Sequence, residues 1–176
     1  MSALSVLYIV LPILAVSFCH ALEVVFTARR WASHHSASSD EAHQSLVNIL
    51  FRLSGMNMSA LVIAAVVGFL AVLLSTAALF AGGLWAELVW TTVFMAYSVC
   101  ALINLVRAVT LKGYVPGLVT SIISVPLIAY AAYSLSLVWP WWEMLLFAIL
   151  GLVLALANLY FAQRIGRYST TISASL

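Results

Sequence analysis

Residues 58–81 read MSALVIAAVVGFLAVLLSTAALFA, a stretch without one charged side chain. It exceeds the ~20 apolar residues that a helix needs to cross a bilayer, and it is too long and too uniformly apolar for an ordinary soluble core helix. Gly82-Gly83 ends it, and a second apolar run follows over 84–106. Lys112-Gly113 and Pro116-Gly117 close that run, a third covers 115–138, and Pro140 separates it from a fourth over 142–162. Glycine and proline at these places are helix stops and starts. On the amino-terminal side, residues 3–28 form one more run. It lacks the basic leader of a signal peptide and runs long before its first charge, so it reads as a retained helix.

The reading is an all-α, polytopic membrane helix bundle with five transmembrane helices in a single membrane domain over residues 1–176. Composition agrees: 65% of the residues are hydrophobic and 7% charged, with a mean hydropathy of +1.16. That excludes a water-soluble fold, which needs a charged shell. A net charge of +2 with no basic run excludes a nucleic-acid surface. Cys19 and Cys100 both lie in apolar runs and read as packing residues rather than a disulfide or a zinc site.

Residues 29–57 are the one sizeable soluble segment. Its first half, with Ser33, His34, His35, Ser36, Ser38 and Ser39, reads as a loop. In its second half Ser39 can cap, Asp40 and Glu41 fill a first turn, and Leu46, Val47, Ile49, Leu50, Phe51 and Leu53 recur mostly at helical spacing up to Gly55. That predicts a short interfacial helix lying on the membrane.

Alternating the loops of a five-helix chain places all seven basic residues on one side: Arg29, Arg30 and Arg52, then Arg107 and Lys112, then Arg164 and Arg167. By the positive-inside rule that side is the cytoplasm. The protein is then a multi-pass cell-membrane protein with its amino terminus and the Glu87 and Glu143 loops outside and its carboxyl terminus in the cytoplasm. Trp85, Trp90, Trp139, Trp141 and Trp142 gather at the outer ends, as an interfacial belt.

Ionisable groups inside a spanning helix cost about 2.5–3.5 kcal/mol each at its centre. His20 and Glu23 are such groups, on one face of the first helix, about 13 and 9 Å in from Arg29 at ~1.5 Å per residue. Asn104, Asn158, Thr120 and Ser121 reach similar depths, so four helices offer polar groups to one cytoplasmic-side layer. Two readings stand. In one, His20 and Glu23 are candidate catalytic residues or ligands of a divalent metal completed by Asn104 or a loop histidine (His34, His35 or His43), with Glu23 as an alternative general base. In the other, the layer is a structural network in which Glu23 pairs with Arg107, Arg164 or His20 and the asparagines bond across helices. Pro126 interrupts the fourth helix, where Ser124 can satisfy the freed carbonyl. The common soluble catalytic motifs are absent, as are paired half-length helices of the transporter kind.

The segment from Leu11 to Glu23, followed by Arg29, Arg30 and Trp31, resembles the opening helix of the HxxEE-domain family of bacterial membrane proteins. The segment Lys112-Gly113-Tyr114-Val115-Pro116-Gly117-Leu118-Val119-Thr120, with Pro126 beyond it, is similar to that family's basic-Tyr-x-Pro-Gly-Leu-Val-Thr segment. The resemblance implies a compact multi-helix membrane fold in the bacterial inner membrane, with a metal-dependent or acid-base activity at the His and Glu residues. The chain departs from the family pattern twice: Val24 stands for the second glutamate, and Asn104 stands where a histidine is expected. The adopted reading is a non-catalytic membrane component, a subunit or small-molecule carrier. The alternative is a membrane enzyme acting on a lipid-like substrate through His20 and Glu23, and the residues leave both open. The partners implied are the lipid bilayer and a lipid-like or small hydrophobic ligand.

Overall fold

In hydrocarbon every backbone N–H and C=O must find its partner within the protein, and a helix does so within one segment. The computed structural model describes residues 6–35 and 58–173. A π-helical turn, Val6–Val10, leads into α1 (Leu11–His35), followed by α2 (Met58–Ala81), α3 (Leu84–Thr110), α4 (Leu118–Ser136) and α5 (Trp141–Ser173). Among the described residues there is no strand, and five helical stretches are long and apolar enough to cross a membrane. Large apolar side chains such as Phe26, Leu74 and Tyr133 are exposed on the bundle's perimeter. Such a perimeter suits a surface solvated by lipid rather than by water.

The helices outlast the apolar runs. α1 continues to His35, so Ser33, His34 and His35 are helical rather than loop, and α3 and α5 extend to Thr110 and Ser173. Hydropathy marks the edge of the bilayer, whereas a helix stops only at a residue that breaks it, and 29–35 contains neither glycine nor proline. α4 is shorter than its apolar run because Pro116-Gly117 forms a turn before it, with Gly117 in the left-handed region at φ 87°. The expected interfacial helix and His43 lie outside the described residues.

α1 packs on α2 and α4, and α3 packs on the same two, closing a four-helix ring; α5 lies across α2 and α3. Gly151 lets α5 approach α3 closely, since a Cβ there would sit 2.7 Å from the Ala96 backbone nitrogen and 2.8 Å from the Met95 carbonyl carbon. One apolar cluster, with Ile9, Val10, Ile13, Leu79, Phe94 and Leu135, fills one end of the bundle, and a second, with Val24, Ala28, Ala60, Leu61, Ala64 and Ala162, fills the other. Trp90 belongs to the first cluster. It is 1% exposed and stacks on Phe94 at 5.5 Å, so it is a core residue and not part of an interfacial belt, whereas Trp85 and Trp141 are 80% and 79% exposed.

A Gly151→Ala substitution forces the α3 and α5 backbones apart. It should cost about 1–3 kcal/mol, the usual range for overpacking. At Gly113, where an added Cβ meets only ordinary contact at 3.6 Å, alanine should stay within about 0.5 kcal/mol of wild type. Thermal unfolding of both variants in detergent checks the difference.

Candidate functional site

The first turn of any α-helix leaves backbone N–H groups without intrahelical acceptors. A side chain at the N-cap usually takes one, but α4 is capped by Gly117, which has none. Glu23 of α1 supplies the missing acceptor. The Tyr114 hydroxyl and Val119 N–H donate to its Oε1 at 2.7 and 3.1 Å, while Thr120 N–H and Thr120 Oγ1 donate to its Oε2 at 2.8 and 2.6 Å. A carboxylate has about four lone-pair positions, and four donors fill them. The negative charge also sits at the positive end of the α4 dipole.

Thr120 joins Glu23 to His20. Its one proton goes to Glu23 along the 2.6 Å contact, so Oγ1 accepts from His20 Nδ1 at 2.9 Å. This sets the neutral imidazole as the Nδ1–H tautomer, with the lone pair on Nε2. His20 and Glu23 thus meet through a hydroxyl rather than across a shared ligand. Next along α4, Ser121 Oγ donates to the Gly117 carbonyl at 2.6 Å and accepts a long bond from Asn104 Nδ2 at 3.4 Å. Ser124 Oγ donates to the Thr120 carbonyl at 2.6 Å and so accepts from the Tyr97 hydroxyl, also at 2.6 Å. The carbonyl that Ser124 satisfies is therefore that of Thr120, not the one Pro126 leaves free.

Gly117 is required twice. Its φ of 87° disfavours any side chain, and an added Cβ would collide with His20 Cε1 and lie 3.1 Å from Asn104 Nδ2. Tyr114 lies in the α3–α4 loop, where burial raises its phenol above the ordinary value; a hydrogen bond with Thr27 opposes this, and the neighbouring Glu23 carboxylate adds to it.

The candidate residues fall into two groups. His20, Glu23, Thr120, Ser121 and Asn104 meet around the first turn of α4. Asn158 stands apart, with Nδ2 donating at 2.9 Å to the Ala64 carbonyl of α2. Glu23 takes Tyr114, Val119 and Thr120 as partners, not the Arg107, Arg164 or direct His20 contact considered from the sequence. Tyr114, Tyr97 and Gly117 were not singled out as site residues by spacing. Only the position of Tyr114 and Gly117 within the Lys112–Thr120 segment could have marked them.

Beside this junction, α1, α2, α3 and α5 line a partly open cavity of about 180 Å³. Its walls are mostly apolar, with Ser17, His20, Tyr97, Asn104, Arg107 and Asn158 as polar exceptions. The Arg107 Nη2 atom is buried and has no hydrogen-bond partner among the described residues. Val24, one turn on from His20, also lines the cavity.

A divalent metal does not fit the pair. Glu23 has no lone pair to spare, Nδ1 of His20 is engaged, and no group of three His, Cys, Asp or Glu side chains comes together among the described residues. A family model described as "Protein of unknown function with HXXEE motif" matches residues 11–132, about two thirds of the chain. No curated protein and no solved structure matches.

Glu23→Gln turns an amide N–H₂ toward backbone donors and removes the charge. It should lower stability by about 1–3 kcal/mol, while Tyr114→Phe, which loses one donor of four, should cost about 0.5–1.5 kcal/mol. Thermal unfolding in detergent gives the order. Because the Tyr114 pKa is raised in the fold, its contribution is intact below the ordinary phenol value of about 10 and is lost as pH climbs through the folded value. The alkaline absorbance titration of wild type minus Tyr114→Phe should therefore show one phenol ionising above about pH 10.

Proposed function

The chain belongs to the family of proteins of unknown function with an HXXEE motif, and we propose that this member is a non-catalytic membrane component that holds a small hydrophobic or lipid-like molecule in the cavity beside His20. One observation carries the reading: the motif carboxylate, Glu23, is filled by four donors in joining α1 to α4, and an apolar-walled cavity lies next to it. A general base must present a free lone pair to its substrate, and Glu23 presents none. A binding site needs a concave, mostly apolar volume with a few polar groups, and the cavity offers both.

The orientation that accompanies this reading rests on charge. Arg107, Lys112 and Arg164 lie toward one end of the bundle, while Glu87 and Glu143, in the first turns of α3 and α5, lie at the other with the exposed Trp85 and Trp141. The positive-inside rule then puts the cavity's Arg107 end at the cytoplasmic leaflet and the amino-terminal end of α1 outside. The alternative, an acid-base membrane enzyme working on a lipid-like substrate, draws on the His20–Thr120–Glu23 hydrogen-bond chain, in which Nε2 of His20 keeps its lone pair.

Radiolabelled dodecanol should bind saturably to the purified protein in phosphatidylcholine nanodiscs, measured against empty discs. Ala65→Phe, which fills the cavity, should abolish that binding. Glu23→Gln should lose stability yet keep it in the fraction that remains folded, because Glu23 does not line the cavity. Absence of saturable binding to well-folded wild type of both dodecanol and the corresponding carboxylate, dodecanoate, would overturn the reading.

A further inference from the structure

Arg107 carries a charge that proteins do not remove, since guanidinium stays protonated at any accessible pH. A buried charged nitrogen without a partner is costly, and such groups are met by an anion or by hydrogen-bond acceptors. Nη2 of Arg107 is buried without either among the described residues, and the side chain lines the cavity. The chain has five carboxylate side chains. Glu23 is committed to α4, and Glu87 and Glu143 begin α3 and α5 at the opposite end of the bundle. Asp40 and Glu41 lie outside the described residues.

The motif itself points to what is missing. Its pattern, His-x-x-Glu-Glu, aligns with His20, Glu23 and Val24, so the position of the second glutamate is occupied by an apolar side chain. That position does not face α4 as Glu23 does. Val24 lines the same cavity as Arg107 and His20. A chain with glutamate there would place a carboxylate in the wall of the chamber that holds the guanidinium. This chain has the cation and, at that motif position, no anion, which leaves a positive group at the polar edge of an apolar space.

We propose that the cavity takes a single-chain anionic amphiphile, its carboxylate or phosphate on the Arg107 guanidinium in place of the absent motif carboxylate and its hydrocarbon chain among the apolar side chains of α2. This rests on the cavity-binding reading above and names the chemistry of the ligand. Guanidinium presents a fork of N–H donors that matches an oxyanion in geometry as well as charge. His20 has its Nδ1–H given to Thr120, so that donor is not available to the anion. The volume, about 180 Å³, is comparable with the ~150 Å³ of an apolar cavity that admits benzene. That is room for a segment of one hydrocarbon chain.

The test compares radiolabelled dodecanoate with dodecanol on the protein in phosphatidylcholine nanodiscs, with empty discs subtracted. Dodecanoate should bind more tightly than dodecanol. Arg107→Gln should weaken dodecanoate by about tenfold or more, as expected for losing a hydrogen bond to a charged group, and leave dodecanol unchanged. Arg107→Lys should retain part of the preference. Val24→Glu, which restores the motif, should also weaken dodecanoate, and should raise thermal stability by meeting the guanidinium. Should Val24→Glu fail to fold, the Arg107 variants decide alone. Dodecyl phosphate competing as well as dodecanoate supports the shared oxyanion chemistry, whereas acetate competing equally well would overturn the amphiphile. Equal binding of dodecanol and dodecanoate, unaffected by Arg107→Gln, overturns the proposal while leaving the cavity reading standing. Binding of neither ligand overturns both. Loss of stability in Asp40→Asn/Glu41→Gln without dodecanoate preference would identify those carboxylates as the partner of Arg107 and overturn the proposal.

Discussion

The carboxylate of Glu23 at the first turn of α4 is the contact around which the rest of the site is arranged. α4 starts with a glycine that cannot cap it, directly after a proline turn. Its orphan N–H groups need an acceptor from elsewhere. Glu23 satisfies two of them, takes the Thr120 and Tyr114 hydroxyls as well, and places a charge where the helix dipole favours it. One side chain thereby closes the four-helix ring between α1 and α4 and ties down the loop that precedes α4.

Several residues owe their positions to that contact. Thr120 can accept from His20 because its own proton is committed to Glu23, which in turn sets the tautomer of His20. Gly117 must stay glycine because the backbone passes against the His20 ring and the Asn104 amide. Ser121 and Ser124 use their hydroxyls on carbonyls of the same helix and offer their oxygens to Asn104 and Tyr97 of α3. The polar groups of α4 are thus largely consumed within the fold, and the unsatisfied chemistry lies on the other side of His20, in the chamber that Val24 and Arg107 share.

The substitution of an apolar residue at the second glutamate of the motif separates two roles that the motif name runs together. The first glutamate makes its contacts to the backbone and hydroxyls of α4 and its loop. The second position, Val24, lines the cavity instead. Valine gives the cavity wall more apolar surface and leaves the charge of Arg107 to be met by something other than that position.

The helical character and membrane-spanning length of the five segments were legible from hydropathy, because lipid selects for long apolar runs irrespective of their neighbours. Helix ends were legible only where glycine or proline stops the backbone, as at Gly82-Gly83 and Pro116-Gly117; the continuation of α1 to His35 was not, since polar residues leave the bilayer without breaking a helix. The spacing of His20 and Glu23 put them on one side of α1 and drew attention to both. It could not tell that the i, i+3 step turns Glu23 toward α4 while the i, i+4 step keeps Val24 on the cavity, because that choice depends on which helix lies against each face. Trp90 shows the same limit: near a helix end it reads as an interfacial residue, and packing against Phe94 makes it core. The sequence by itself determined how many segments are long and apolar enough to cross a membrane and which residues must be explained within them, because those follow from transfer of side chains into lipid. Only the tertiary structure decided that Glu23 caps a helix ninety-odd residues away and that Arg107 is left facing a cavity, because hydrogen-bond partners are set by the packing of helices that the sequence does not order in space.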